Sequence, residues 1–299
     1  MKKINRVLLF TFFTFLFGVS MTAQKAASYQ KEIENWHKNR EAKLKSESGW
    51  LNIAGLFWLK EGKNTFGSNA ENQIQFPEGT INAFAGHFER KGTTVKIFVA
   101  EGVEIKLNGK PIQEAVVFDL NSEKPLVLTH KNLKWTLIKR EELIGIRLRN
   151  LESPLLRTFT GINSFPIDEK WKIEGQLVTS NQPTEIFITN VLGQTTKEKS
   201  SGKLVFKIQN KEYSLDVLDE DDGLFIIFGD ATNGDTTYPS GRFLSAAKPD
   251  KEGKVIIDFN KATNPPCAFT PYATCPLPPV QNRLEVAIAA GEKIFGEHK

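Results

Sequence analysis

Apolar and polar residues alternate in three distinct ways along the chain. At the start, Lys2, Lys3 and Arg6 precede an apolar run from Val7 to about Met21, which ends at the small residue Ala23. A cationic head, an apolar middle and a small-residue end are the layout of a cleavable secretory signal, expected over residues 1–23. The run is about 15 residues long, short of the roughly 20 needed to span a bilayer, so cleavage is expected rather than retention as an anchor. No Cys stands directly after it to accept a lipid, and the mature chain is expected to be periplasmic or secreted, with no membrane span.

The second regime is the charged stretch within residues 24–46. Ile33, Trp36 and Leu44 partly follow one helical face there, which predicts one amphipathic helix over Tyr29 to Lys45. From Gly49 onward short apolar runs are broken by Gly, Asn and Pro, the spacing of an all-β chain. Val103, Ile105 and Leu107 alternate with polar residues, and Asn108-Gly109 then supplies the pair of positive φ angles that a tight hairpin needs. Ile144, Ile146 and Leu148 alternate with Gly145, Arg147 and Arg149, giving a strand with an apolar and a basic face.

Strand-like runs continue at Glu185 to Val191, Leu204 to Ile208, Tyr213 to Leu218, Leu224 to Phe228 and Val255 to Phe259. Leu224 to Phe228 is apolar on both faces and predicts a strand buried between two layers. The fold class expected is mainly β: an antiparallel sandwich or barrel-like architecture with one N-terminal helix and a long ordered Pro-rich loop near the C-terminus. A weak boundary near Ser164 to Lys170 divides residues 47–165 from 166–299, two β-rich halves that are also compatible with one domain.

Charge changes this picture little. Without the three basic residues of the leader, 36 Lys and Arg face 35 Asp and Glu, and no basic stripe is left for nucleic-acid phosphates. With 22 Phe against 4 Tyr and 2 Met, the core is expected to be built from stiff aromatic and branched side chains.

Common catalytic signatures are absent: no Gly-x-Ser-x-Gly, no His-Glu-x-x-His and no Gly-x-Gly-x-x-Gly. Gly62 and Gly67 have the glycine spacing of a phosphate loop, but Ser68 replaces its lysine. His37, His87, His130 and His298 are scattered singly and read as surface or packing residues, since zinc sites need clustered ligands. Two acidic runs, Asp219 to Asp222 and Asp230 with Asn233 and Asp235, carry oxygens suited to Ca²⁺ but lack EF-hand spacing, so solvated turns are expected and no metal is assigned.

Rare residues crowd into the C-terminal quarter: Gly241-Arg242-Phe243-Leu244, Asp258-Phe259-Asn260, and Asn264-Pro-Pro-Cys267-Ala-Phe-Thr-Pro271-Tyr272-Ala-Thr-Cys275-Pro-Leu-Pro-Pro279. This stretch resembles the signature of the DUF1684 family. Trp50-Leu51, Ala54-Gly55-Leu56, Gly145, Arg147 and Arg157-x-Phe159 are similar to the family's N-terminal pattern, so the resemblance runs from about Gly49 to the C-terminus. It implies an exported bacterial protein and brings no established reaction. Asn150 departs from the pattern, which has an acidic residue after the Arg-x-Arg strand.

Cys267 and Cys275 are the only cysteines, and seven intervening residues containing Pro271 are enough to fold the chain back on itself. In an oxidising compartment a disulfide between them is expected. A zinc site or a catalytic thiol are the alternatives, and neither has a nearby His. Six prolines between Pro265 and Pro279 remove backbone donors and fix φ, so this segment is expected to be a rigid loop.

Two readings follow for the motif. In one, the loop walls a small-molecule site, enzymatic or purely binding, lined by Arg242, Asp258, Asn260, Asn264, Tyr272 and Arg283. The two arginines would clamp an anionic group there, and Asp258 would serve as general base or orient an arginine. In the other, Arg242 pairs with Asp258, Asn260 and Asn264 bind loop backbone, and the motif locks the fold for an envelope partner. Neither reading implies a cofactor, and the sequence identifies no protein partner.

Overall fold

Where the apolar spacing changes from helical to alternating, the computed structural model changes from helix to strand. It describes residues 7–120, 126–179 and 184–296, with side chains from residue 24 onward, residue 184 excepted. Helix α1 (Val7–Lys45) buries Tyr29, Ile33 and Leu44, while Trp36 is half-buried. Among the described residues no helix is long and apolar enough to cross a membrane. The chain divides into two compact units, Lys43–Thr160 with Phe269–Ala273, and Met1–Ala42 with Gly161–Ala268 and Thr274–Lys299.

The first unit is a mainly antiparallel sandwich, with β2 and β3 paired in parallel. One sheet has the order β1 (Ile53–Trp58), β11 (Leu143–Asn150), β10 (Leu133–Arg140), β9 (Val127–His130), β6 (Ile105–Leu107) and β7 (Lys110–Ile112). The other has the order β3 (Ile74–Gln75), β2 (Gly62–Gly67), β4 (Gly86–Lys91), β5 (Thr94–Val99) and β8 (Glu114–Phe118), and a short helix α2 (Pro154–Thr158) follows β11. Both sheets feed one core, with Phe66, Phe76 and Phe88 from one side meeting Trp135, Ile144, Ile146 and Leu148 from the other. As the alternation predicts, β11 buries Ile144, Ile146 and Leu148 and leaves Arg147 and Arg149 half-buried on the opposite face. Asn108 and Gly109 have φ of 48° and 81° and close the hairpin of β6 and β7. Gly62 and Gly67 lie at the two ends of strand β2, so they frame no phosphate loop.

The second unit is a six-stranded, half-barrel sheet with the order β18 (Arg242–Ala246), β17 (Gly223–Phe228), β16 (Lys211–Glu220), β15 (Gly202–Ile208), β12 (Lys172–Val178) and β19 (Lys254–Asp258). A separate hairpin joins β13 (Thr184–Thr189) to β14 (Thr195–Ser200). β17 is covered on both sides, as its uniform apolar sequence predicts. Leu224, Ile226 and Phe228 enter the main core with Phe206, Leu215 and Phe259, while Ile227 packs with Ile186 and Ile188 of the hairpin. After β19 the chain runs in turns, isolated bridges and three single-turn 3-10 helices (Phe259–Lys261, Pro266–Ala268 and Val280–Asn282) among the described residues, consistent with its proline content.

Candidate functional site

Apart from Phe269–Ala273, the motif residues occupy the half-barrel unit, and Arg242 is its most buried charge. Gly241 precedes it with φ of 95°, and a Cβ there would stand 2.4 Å from Pro278 Cγ and 2.6 Å from the Phe228 carbonyl oxygen. Only glycine lets the proline loop close over this corner. Arg242, the first residue of β18, is fully buried with its guanidinium 5.2 Å from the Phe228 ring centre. Nη2 donates to Asp230 Oδ2 at 2.6 Å and to the Ile288 carbonyl at 2.9 Å, and Nη1 donates to the Ala290 carbonyl. Burial pushes the guanidinium pKa down, and the Asp230 carboxylate opposes that shift. Asp230 Oδ1 accepts from the Thr232 backbone N–H at 2.9 Å and hydroxyl at 2.6 Å.

The expected Arg242–Asp258 pair is therefore corrected: the partner is Asp230, twelve residues away across the β17–β18 connection. Asp258 belongs to a second network, built on α1. Tyr29 Oη donates to Asp258 Oδ1 at 2.8 Å, and Asn260 Nδ2 donates to Tyr29 Oη at 2.9 Å. Burial, and then the acceptor it faces, push the Tyr29 hydroxyl pKa well above the usual phenol value. Asn260 also exchanges hydrogen bonds with the backbone of Asp168, at 3.1 and 2.9 Å. His37 Nε2 lies 2.9 Å from the Asn260 carbonyl and is its donor.

One turn further along α1, Arg40 donates from Nε to Glu292 Oε1 at 3.1 Å and from Nη2 to the Asn264 carbonyl at 3.0 Å. Glu292 Oε2 accepts from the Asn264 N–H at 2.6 Å, and Asn264 Nδ2 donates to the Lys293 carbonyl at 2.7 Å. Burial raises the Glu292 pKa despite Arg40, because desolvating a carboxylate outweighs one partly exposed cation. Three buried atoms of these networks have no hydrogen-bond partner among the described residues: Arg242 Nε, Asp258 Oδ2 and Asn264 Oδ1. Lys261 Nζ lies 3.8 Å from Asp258 Oδ2, too far for a hydrogen bond.

The remaining candidates lie elsewhere. Arg283 is exposed beside its bridge to Gly229, so it does not form a paired fork with the buried Arg242. Tyr272 is 38% exposed and groups with the sandwich unit. The cysteines overturn the expected disulfide: Cys267 and Cys275 are two thiols, not at disulfide distance. The Cys275 sulfur accepts the Cys267 backbone N–H at 3.0 Å, which holds it in hydrogen-bonding rather than covalent geometry. The hydrogen bond with Cys275 lowers the Cys267 thiol pKa, and burial raises that of nearby Tyr238 to about 12.

Asp221 and Asp222 form the turn between β16 and β17. Among the described residues no three His, Cys, Asp or Glu side chains stand close enough to share a metal ion. Of the scattered histidines, His87 stacks on Phe98 and His298 lies outside the described residues. The prolyl loop covers the edge of β13: the Val191 N–H donates to the Cys275 carbonyl at 3.0 Å and the Leu277 N–H to the Thr189 carbonyl at 2.8 Å.

Residues 157–293, which hold every one of these motif networks except the α1 side chains, match the model of DUF1684, a protein family of unknown function. This region belongs to the DUF1684 family. No curated protein matches the chain. Among solved structures, an uncharacterised protein from gene locus rrnAC0354 of Haloarcula marismortui is 28% identical, covering 47% of this chain and 80% of its own, with a TM-score of 0.40. Two FHA domains, one from a study of phosphothreonine-dependent interactions and one the FhaA domain complexed with the intracellular domain of Rv3910, are each 16% identical over 31% of this chain. They cover 92% and 97% of their own chains, with TM-scores of 0.22, and these likenesses carry no argument.

Within the DUF1684 region the sequence reading missed Glu292 and Asn282. Asn282 is 1% exposed and inserts its amide between two strands: Oδ1 accepts from the Asp216 N–H at 2.7 Å, and Nδ2 donates to the Asp216 and Ile227 carbonyls, both at 2.9 Å. Its only sequence signal was its place beside Arg283, between the proline loop and an apolar pair.

Proposed function

We propose that the C-terminal motif is an internal lock, and that the protein is an exported structural or interaction component of the cell envelope. The observation that supports this reading is the direction in which the polar atoms point. Arg242, Asn260, Asn264 and Asn282 are all nearly or fully buried, and each donates to backbone carbonyls of its own unit. Satisfying buried backbone groups with side-chain donors fixes irregular chain that no ladder can hold. Export is supported by the leader-like pattern of residues 1–23.

One observation favours a second reading, a small-molecule site. Arg242 Nε, Asp258 Oδ2 and Asn264 Oδ1 are buried polar atoms with no hydrogen-bond partner among the described residues, which a bound molecule would satisfy. A thermal-shift screen of the purified protein against small polar molecules that can donate hydrogen bonds separates the two. On the lock reading no such molecule raises the melting temperature through these atoms. A saturable rise that is lost in Asp258→Asn would overturn it, because a ligand of the native state stabilises by mass action.

A further inference from the structure

The sandwich unit carries a polar cavity of about 450 Å³, lined by Asn82, Glu104, Lys106, Thr129, His130 and Lys131. It lies where β6 and β9 pair, with Lys106 opposite Thr129. His130 ends β9 and is 7% exposed. Its Nδ1 is 2.7 Å from the Glu104 carbonyl oxygen, which only accepts, so Nδ1 carries a proton. That fixes the tautomer: the other nitrogen, Nε2, is a bare acceptor when the ring is neutral and a donor when it is charged. Nε2 is buried and has no hydrogen-bond partner among the described residues.

The charges around the ring are unbalanced. The Glu104 carboxylate is taken by Lys106 Nζ at 2.9 Å, and that hydrogen bond holds it below its usual pKa. Lys131, held at φ of 49° in the turn after β9, has no ion-pair partner among the described residues. With a neutral imidazole the cavity walls therefore carry one surplus positive charge, and with an imidazolium they carry two.

We propose that this cavity binds a small oxyanion, a carboxylate or a phosphate-like group, with His130 Nε2–H as the buried donor and Lys131 as the counter-charge. Thr129 and Asn82 add neutral polar contacts at the wall. The bound state takes up a proton on His130, so affinity falls as pH rises. Glu104 and Lys106 face the same ring but neutralise one another, which leaves Lys131 as the charge that selects for an anion.

The test is imidazole NMR on the full chain, titrated with sodium sulfate or sodium acetate against sodium chloride at matched ionic strength. Both probes keep their charge across the working range, and they separate a tetrahedral from a planar ligand. The His130 signal, assigned with His130→Gln or from its own pH titration, is expected to shift saturably with at least one of them. Binding should be roughly tenfold weaker at about pH 8 than at about pH 5.5. Lys131→Ala, at an exposed position that should not disturb folding, should weaken binding several-fold. A shift that chloride reproduces, or an affinity indifferent to both pH and Lys131→Ala, overturns the proposal.

Discussion

Asn282→Ala removes an amide that stands in for a missing piece of β ladder. The β16–β17 pairing runs from Glu220 opposite Gly223 to Leu218 opposite Phe225, and beyond that point the Asn282 side chain takes over the backbone of Asp216 and Ile227. Truncation orphans one N–H and two carbonyl groups at a site only 1% exposed. Leaving a buried polar group unsatisfied costs about 1–3 kcal/mol, and some relaxation is expected, so the loss should be about 3–6 kcal/mol. Asn282→Asp should be worse, because it replaces the donor by an acceptor facing two carbonyls. The assay is native-state hydrogen exchange at the Asp216 amide, which isolates this unit from the unfolding of the sandwich. Protection that falls by less than about 1 kcal/mol in Asn282→Ala would refute the reasoning, since a single exposed hydrogen bond costs that much.

Three further outcomes follow from the networks around α1 and the proline loop. Glu292 has a folded pKa raised above its ordinary 4.5, so its linked stability is present at lower pH and lost as pH rises through the folded value. Glu292→Gln should flatten that part of a stability-against-pH curve, and an unchanged curve would contradict the assignment. Gly241→Ala combines a left-handed φ with a Cβ inside contact distance of Pro278, and should cost about 2–4 kcal/mol in denaturant unfolding; near-wild-type stability would mean the loop does not close here. Tyr29→Phe removes one hydrogen bond to Asp258 and one from Asn260, so it should cost about 1–2 kcal/mol and reduce amide protection along α1. Unaltered protection would separate the helix from the motif.

The sheet faces were legible because a strand's side chains alternate with period two whatever lies beyond them. Ile144, Ile146 and Leu148, the Asn108-Gly109 turn and the doubly covered β17 are all local patterns. The motif was legible as unusual. Its partners were not, because polar pairing over long separations leaves no period: Tyr29 and Asp258 are 229 positions apart. Arg242 was assigned the wrong carboxylate for the same reason, since Asp230 reads locally as one more oxygen in an acidic turn. The cysteine spacing admitted a disulfide, but spacing does not show that one sulfur is already engaged by the other's backbone.

The lock itself is tested most directly by the denaturant midpoints of Arg242→Lys and Arg242→Ala. If Arg242 is the internal partner of Asp230, Arg242→Ala leaves a buried carboxylate alone and should cost about 3–5 kcal/mol. Arg242→Lys keeps the charge but loses the planar fork that reaches Asp230, Ile288 and Ala290 together, so it too should be clearly destabilised. Near-native midpoints in both variants would contradict the account and leave the guanidinium free for a ligand.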